Sequence, residues 1–280
     1  MLSKKVLVIL GPTASGKSDL AVKLALRLRS GLTKKFKGEI ISADSRQVYK
    51  GLDIGTGKIT RKEMRGVPHH LLDVADPKKQ FTVSDFVMLT NPTIVRVVNK
   101  GKLPIIVGGT GFYIDAITGA SQFPNVPPDK LLRSKLNKLS KEKLYAILKK
   151  KDARRAKTID PNNKIRLVRA LEIVEALGKV PTIKSKSSKN FVYIGLIPDN
   201  LKNRIEKRVK QMFKNGLLDE IKKLKKSGIT NKRFRELGFE YWNPTEESVI
   251  RGSKQYAKRQ MTWFKRNKKI KWFKPDEYKE

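Results

Sequence analysis

The sequence predicts an α/β fold in which a mostly parallel β-sheet is flanked by helices and is interrupted by an inserted all-helical domain. Short apolar runs at Val6–Leu10, 39–43 and 103–107 are each followed by a turn, which is typical of buried strands. A helical pattern over residues 17–28 follows the first run. This alternation of strand and helix favours a parallel sheet with helices on its faces.

The insertion is predicted from a change of pattern after Gly119. Three prolines at 124, 127 and 128 mark a break, and the apolar residues from 129 to about 177 then recur at helical spacing. A return rich in Ser and Lys at 184–189 leads to a further strand at 191–197. We therefore predict a first part of the core over 1–122, a helical insertion over 123–188 and a return to the core over 189–280.

The last part of the chain is predicted to be mainly helical. Asp199 is the expected N-cap of a helix over Leu201–Lys214, which Gly216 ends. A second helix is predicted over Leu217–Lys226 and a long basic helix over 246–267. A final strand is predicted at 270–273.

The composition excludes several classes of protein. The 280 residues are 39% hydrophobic, enough for a packed core, but no apolar run is long enough to span a bilayer. The absence of cysteine excludes disulfides and thiolate zinc sites. His69 and His70 are the only histidines, and we expect them to be structural. No signal peptide is visible at the N-terminus, so we expect a cytoplasmic protein that does not bind membranes.

The net charge of +37 predicts a polyanionic partner. Residues 1–120 carry 20 Lys and Arg against 9 Asp and Glu, a net charge of +11, whereas residues 121–280 carry 43 against 17, a net charge of +26. A lysine-rich genome composition explains part of this excess. Because composition alone would spread the charge more evenly, we expect a surface that binds nucleic acid mainly in the second part.

A phosphate-binding loop follows the first predicted strand. The segment matches the pattern of Gly, four residues, Gly-Lys-Ser/Thr. Its members are Gly11, Pro12, Thr13, Ala14, Ser15, Gly16, Lys17 and Ser18. Its glycines allow successive main-chain N–H groups to point at one anion, and the N-terminus of the next helix adds partial positive charge. The lysine supplies an ammonium group and the final serine a hydroxyl that can bind Mg²⁺.

A carboxylate at the end of the second strand is the other candidate for chemistry. Phosphate-loop hydrolases and kinases usually hold Mg²⁺ with an acidic residue after a further strand, but the strand at 103–107 is followed by Gly108, Gly109 and Thr110. Asp44 is the one carboxylate in such a position. From the residues alone it is a magnesium-shell residue, a turn residue or a group with another role.

Four further segments stand in order along the chain after the phosphate loop. They are Ser42-Ala-Asp-Ser-Arg-Gln-Val-Tyr49, Val107-Gly-Gly-Thr110, Asp160-Pro-Asn-Asn163 and Tyr256-Ala-Lys-Arg-Gln-Met-Thr-Trp263. Together with the phosphate loop, these segments resemble the tRNA dimethylallyltransferase family of isopentenyltransferases. The resemblance runs in order over nearly the whole chain and is closest to the short bacterial form. It implies a sheet like that of phosphate-loop kinases and an inserted domain that binds the anticodon stem-loop of tRNA.

The resemblance also implies a reaction. Dimethylallyl diphosphate, assisted by Mg²⁺, would give its dimethylallyl group to N6 of adenosine 37 in tRNAs that read codons beginning with U, and pyrophosphate would leave. The phosphate loop and Arg208 would hold the diphosphate, with Ser18 on the metal. Asp44 would accept a proton from the amine and Thr110 would lie beside the reacting base, so these two residues are the expected catalytic groups.

The family pattern further implies a set of residues that contact RNA. Arg46 departs from the pattern, because the family often has a smaller uncharged or apolar residue there, and Glu236-Leu-Gly-Phe239 is a looser match. The set is Asp44, Ser45, Arg46, Gln47, Thr110, Arg133, Ile165, Arg166, Leu167, Val168, Arg169, the segment 236–241, Lys258, Arg259, Gln260 and Trp263. For Trp263 a packing role is an equal alternative.

Two other functions remain open from the sequence. One is an adenylate isopentenyltransferase or a phosphate-loop kinase that acts on a free small molecule; the basic second part argues against it. The other is a non-catalytic RNA-binding protein, against which Lys17, Ser18, Asp44 and Thr110 argue. We expect a monomeric enzyme that acts on tRNA.

Overall fold

The computed structural model of the chain describes residues 5–30, 38–120, 124, 126–182 and 190–275. The predicted return at 184–189 lies outside these residues. By its internal contacts the chain divides into two compact units. One comprises Met1–Ala120 and Ser187–Glu280, and the other comprises Ser121–Lys186.

The first unit contains a six-stranded sheet, which confirms the predicted fold class. All of its strand pairs are parallel, in the order β3-β2-β4-β1-β5-β6. The strands are β1 (Val6–Leu10), β2 (Gly38–Ser42), β3 (His69–His70), β4 (Leu103–Gly108), β5 (Phe191–Leu196) and β6 (Lys271–Phe273). Both faces of the central strands are covered, because Val8 and Ile9 point to opposite faces of β1 and both are fully buried.

Helices flank the sheet and build the second unit. The first unit has α1 (Lys17–Ser30), α2 (Arg61–Met64), α3 (Val83–Asn99), α4 (Gly111–Thr118), α9 (Leu201–Lys214), α10 (Leu217–Lys226), α11 (Asn231–Leu237) and α12 (Glu246–Phe264). The second has α5 (Lys130–Asn137), α6 (Lys141–Lys151), α7 (Ala153–Ala156) and α8 (Lys164–Leu177). None of the helices in the described part of the chain is long and apolar enough to cross a membrane.

The structure differs from the sequence predictions at one N-cap and in elements that were not predicted, which are β3, α2, α3, α4 and α11. The N-cap of α9 is Asn200 and not Asp199, whose carboxylate pairs with Lys274 Nζ at 2.9 Å. Helix α3 was not predicted, and it contains Pro92. Proline has no N–H for the carbonyl of Met88 four residues earlier, but both residues are exposed, so water can satisfy that carbonyl.

Candidate active site

A pocket lies at the carboxyl ends of the parallel strands in the first unit. Three loops meet there, because β1, β2 and β4 are neighbours in the sheet and end at the same edge. They are the phosphate loop, the segment 44–47 and the segment 108–110. Helices α9 and α12 close the other side. The lining includes Thr13, Lys17, Ser18, Asp44, Arg46, Gln47, Thr56, Arg208, Glu240, Tyr256 and Gln260.

The phosphate loop has the backbone that its sequence pattern requires. Gly16 adopts φ +91°, a conformation that favours glycine. At Gly11 a Cβ atom would overlap the carbonyl oxygen of Leu196. Lys17 Nζ donates to the carbonyl of Pro12 at 2.6 Å, and α1 begins at Lys17. The loop therefore presents an ammonium group and a helix N-terminus at the same place, which suits an anion.

Two cations of the pocket are held in an environment that disfavours their charge. Burial, together with the positive charge of Arg208, lowers the pKa of Lys17 to about 7, and Asp44 opposes this shift. Burial also lowers the pKa of Arg208, whose Nη2 donates to the Thr56 carbonyl at 2.9 Å. Because a bound polyanion would restore the preference for the charged forms, the pocket is electrostatically suited to a diphosphate.

Asp44 and Thr110 are fixed by main-chain contacts in neighbouring loops. Asp44 Oδ1 accepts from the N–H groups of Arg46 at 2.8 Å and Gln47 at 3.3 Å. Thr110 Oγ1 accepts from Ser45 N at 3.0 Å and lies 3.3 Å from Ser45 Oγ. The two predicted catalytic residues are therefore linked through Ser45, and Asp44 shares the pocket with Lys17.

Known proteins match both the sequence and the fold. Residues 47–267 match the family model described as IPP transferase, and residues 4–79 match the one described as Isopentenyl transferase. The chain is 41% identical over 290 residues to the tRNA dimethylallyltransferase of Anoxybacillus flavithermus, covering 97% of this chain and 91% of that protein. The chain belongs to the IPP transferase family.

Solved structures agree with this membership. The full-length tRNA isopentenylpyrophosphate transferase of Bacillus halodurans is 40% identical, with a TM-score of 0.69 over 97% of this chain and 90% of that one. A eukaryotic dimethylallyltransferase described as acting on tRNA is 28% identical, with a TM-score of 0.83 over 97% of this chain and 74% of that one.

Gln260, one of the predicted RNA contacts of this IPP transferase, has a buried side chain that spans two pocket loops. Its Oε1 accepts from Thr13 N at 2.8 Å and its Nε2 donates to the Gly109 carbonyl at 2.8 Å. The amide thereby ties the phosphate loop to the loop that precedes Thr110.

Replacing Gln260 by glutamate is expected to lower the free energy of unfolding by about 2 kcal/mol, because the carboxylate loses the donor and faces the Gly109 carbonyl. Urea denaturation followed by tryptophan fluorescence measures this change. Gln255→Glu makes the same substitution at an exposed position of α12 and should have little effect. Equal stability of the two variants would contradict the bridging role.

Two further pocket residues carried no individual assignment in the sequence analysis. Burial and the charge of Asp44 raise the pKa of Glu240 to about 7, against the opposing effects of Arg46 and Arg208. Burial raises the pKa of Tyr256 to about 12. The spacing of Tyr256 could have predicted its place in the pocket, because it precedes Gln260 by one helical turn and therefore lies on the same face of α12. Glu240 directly follows the segment 236–239, which is a looser match to the family pattern.

The predicted RNA contacts on α8 divide into exposed and buried side chains. Ile165 is 83% exposed and Arg166 is also exposed. Leu167 and Val168, by contrast, lie in the apolar core of the helical unit and are at most 5% exposed. Helical periodicity turns these two side chains inward, while their neighbours face solvent. That the segment 165–169 contacts RNA stays a prediction.

Arg133 and Arg169 are held by a buried carboxylate in the same unit. Glu172 is 2% exposed and accepts from Arg133 Nε at 2.6 Å and Nη2 at 2.9 Å, from Arg169 Nη1 at 2.8 Å and from Asp129 N at 2.9 Å. Burial alone would raise the pKa of Glu172, but these hydrogen bonds lower it. The network joins α5 to α8.

Replacing Glu172 by glutamine is expected to destabilise the helical unit by about 3 kcal/mol, since it leaves two guanidinium groups without their negative partner. Urea denaturation followed by far-ultraviolet circular dichroism measures the loss. Glu175→Gln removes an exposed carboxylate of α8 that pairs with Lys151, and it should cost far less. Equal decreases in the free energy of unfolding of the two variants would show that the buried network stabilises the unit no more than the exposed ion pair does.

The predicted RNA contacts on α12 also differ among themselves. Lys258 and Arg259 are exposed, and Arg259 lies 5.8 Å from the centre of the Tyr256 ring. Trp263 is half-buried and its Nε1 donates to Asp115 Oδ2 at 2.8 Å, while its ring packs against Gly111. These contacts give Trp263 a packing role in the first unit.

The two histidines have structural contacts. His70 Nε2 lies 2.7 Å from the buried Glu39 carboxylate, which also pairs with Lys102. His69 Nδ1 lies 2.8 Å from the Val67 carbonyl. Within the described part of the chain, no three His, Asp or Glu side chains are grouped in a way that could hold a metal ion.

Proposed function

We propose that this IPP transferase moves the dimethylallyl group of dimethylallyl diphosphate to N6 of adenosine 37 in tRNAs that read codons beginning with U. The observation that carries the proposal is that Lys17 of the phosphate loop and Asp44 line one pocket. The diphosphate of the donor would be held at the phosphate loop, beside the Asp44 carboxylate. Relatives that match along almost the whole chain bear the name tRNA dimethylallyltransferase.

The diphosphate of the donor binds at the phosphate loop. The main-chain N–H groups at the N-terminus of α1, the Lys17 ammonium and the Arg208 guanidinium would face its oxygens. The bond between the allylic carbon and the diphosphate oxygen breaks, so negative charge grows on the leaving pyrophosphate. Donors that are already aimed at this charge lower the barrier.

A magnesium ion fits this arrangement with few protein ligands. Mg²⁺ keeps several waters and is usually held by one or two protein groups together with substrate phosphates. The Ser18 hydroxyl is exposed at the start of α1, directly after Lys17, and supplies one such ligand. When bound, the ion would neutralise charge on the leaving group.

Asp44 acts on the other reactant. The exocyclic amine of adenine is a weak nucleophile because its lone pair is delocalised into the ring. As the new bond between N6 and the allylic carbon forms, a proton leaves N6, and the Asp44 carboxylate accepts it. Thr110 positions the segment 44–47 through Ser45, beside the base.

The RNA partner is the anticodon stem-loop. A base in a single-stranded loop leaves its stack at lower cost than one in a duplex. Exposed basic and apolar side chains on each unit, including Arg166, Ile165, Lys258 and Arg259, would contact the stem and the loop. In this proposal residues 1–122 and 189–280 form the catalytic core, residues 123–188 form the RNA-binding insertion, and the enzyme is a cytoplasmic monomer.

Label transfer from dimethylallyl diphosphate with Mg²⁺ tests the proposal. The acceptors, run in parallel, are an unmodified anticodon stem-loop with three adenosines in its loop, AMP and ATP. Label on the stem-loop alone supports the tRNA reaction. Label on AMP or ATP would instead assign the enzyme to small-molecule acceptors, and RNA binding without transfer to any acceptor would leave a non-catalytic RNA-binding protein.

A further inference from the structure

A buried carboxylate outside the pocket organises one of the pocket loops. Glu220 on α10 is 9% exposed. Its Oε2 accepts from the N–H groups of Asp53 at 3.0 Å and Ile54 at 2.7 Å, and its Oε1 accepts from Gly55 N at 3.1 Å and from the Tyr241 hydroxyl at 2.9 Å. Three successive N–H groups that converge on one anion form a nest. Here the anion is a side chain of the protein itself.

The nest begins a loop that holds two pocket side chains. The carbonyl of Thr56 accepts from Arg208 Nη2 at 2.9 Å and from Gln47 Nε2 at 3.4 Å, and the carbonyl of Gly57 accepts from Gln47 Nε2 at 3.3 Å. Gly57 adopts φ +55°, and a Cβ atom there would overlap the Arg208 guanidinium. The positions of Arg208 and Gln47 therefore depend on where this loop runs.

Glu220 is the acceptor for the main-chain N–H groups of residues 53–55, whereas the carbonyls of Asp53 and Ile54 accept within the loop from the N–H groups of Lys58 and Gly57, each at 2.9 Å. Gly55 packs so closely on the Tyr241 ring that a Cβ atom would lie 2.6 Å from Cζ. Burying a carboxylate is costly unless it is fully hydrogen-bonded. Four donors on one carboxylate meet this requirement, and they fix the loop relative to α10.

We propose that Glu220 is a positioning residue of the transferase: through the loop 53–57 it holds the Arg208 guanidinium in place for the diphosphate. The proposal rests on the proposed function for the role of Arg208. Glu220 itself touches neither substrate. Its effect on diphosphate binding is transmitted by main-chain hydrogen bonds, and so it requires Arg208 to be present.

Calorimetric titration with inorganic pyrophosphate and Mg²⁺ tests this inference in a double-mutant cycle. The variants are Glu220→Gln, Arg208→Gln and the pair. The glutamine amide keeps the size of the side chain but turns an NH₂ group toward the nest, so the affinity for pyrophosphate should fall about ten-fold. In the Arg208→Gln background the same change should cost less than about two-fold, because coupled residues are not additive.

Two controls separate positioning from general damage to the fold. Asp219→Asn removes an exposed carboxylate of the same helix, which pairs with Lys222, and should leave the affinity unchanged. Tyr241→Phe removes one of the four donors and should weaken binding by less than Glu220→Gln; it supplies the readout if Glu220→Gln does not fold. An equal loss with and without Arg208, or no loss at all, would overturn the inference. Failure of the wild-type protein to bind pyrophosphate would overturn the proposed function as well.

Discussion

Replacing Asp44 by asparagine is expected to lower the rate of dimethylallyl transfer about 10³-fold, the range ascribed to a general base. Asparagine keeps an oxygen that can accept from the N–H groups of Arg46 and Gln47, so the segment 44–47 should keep its shape. What is lost is the negative charge that accepts the N6 proton. Single-turnover transfer to the stem-loop measures the rate, and a filter-binding assay measures tRNA affinity.

The structure offers a close control for this change. Asp76 is exposed, and its Oδ1 accepts from Lys78 N at 2.8 Å, the same contact two residues ahead that Asp44 makes with Arg46. Asp76→Asn should therefore leave transfer unchanged. In Asp44→Asn the affinity for tRNA should also be unchanged. Loss of tRNA binding, or transfer at the wild-type rate, would contradict the role of Asp44 as proton acceptor.

The parts of the site that the sequence predicted are those with a local signature. The phosphate loop can be read from its spacing, because glycine at fixed positions and a helix start at Lys17 are properties of one short segment. Asp44 was identified as the carboxylate at a strand end, and parallel pairing of β2 with β4 then brings it beside the segment 108–110. The order of the strands in the sheet could not be read from any single segment.

The parts of the site that the sequence could not predict depend on contacts between distant segments. Gln260 reads as one more polar residue on a basic helix, yet it bonds to Thr13, 247 residues earlier. The role of Glu220 depends on residues 53–55, which lie more than 160 positions away. Within the predicted RNA-contacting segment 165–169, by contrast, the core position of the Leu167 and Val168 side chains follows from the local helical spacing alone.

Lys17 connects the stability of the protein with its function. Its pKa of about 7 means that the folded protein disfavours the ammonium form, whereas a lysine in the unfolded chain titrates near 10.4. The unfolded state therefore binds more protons between these two values, and the stability of the wild-type protein rises with pH across that window. Below pH 7 Lys17 is protonated in both the folded and the unfolded state, so the free energy of unfolding is lowered by the full cost of burying the ammonium group.

Replacing Lys17 by methionine is accordingly expected to weaken binding of pyrophosphate about a hundred-fold through the lost charged hydrogen bonds. The same variant should raise the melting temperature of the ligand-free protein at pH 6 by about 5 °C, because a desolvated charge is removed. At pH 9 this difference should shrink, since the wild-type lysine then folds in its neutral form. Calorimetric titration and thermal denaturation at the two pH values measure these effects.

Lys23→Met is the matched control, because Lys23 lies on the same helix, is exposed and pairs with Asp19 of the adjacent turn at 3.0 Å. It should change neither the affinity for pyrophosphate nor the pH dependence of the melting temperature. If Lys17→Met melted at a lower temperature than the wild type at pH 6, the ammonium group would not be destabilising in the ligand-free protein. A difference in melting temperature that is the same at pH 6 and pH 9 would show the same. If the expected result holds, the anion offsets the cost of burying Lys17, so binding of the diphosphate stabilises the fold at the point where the reaction takes place.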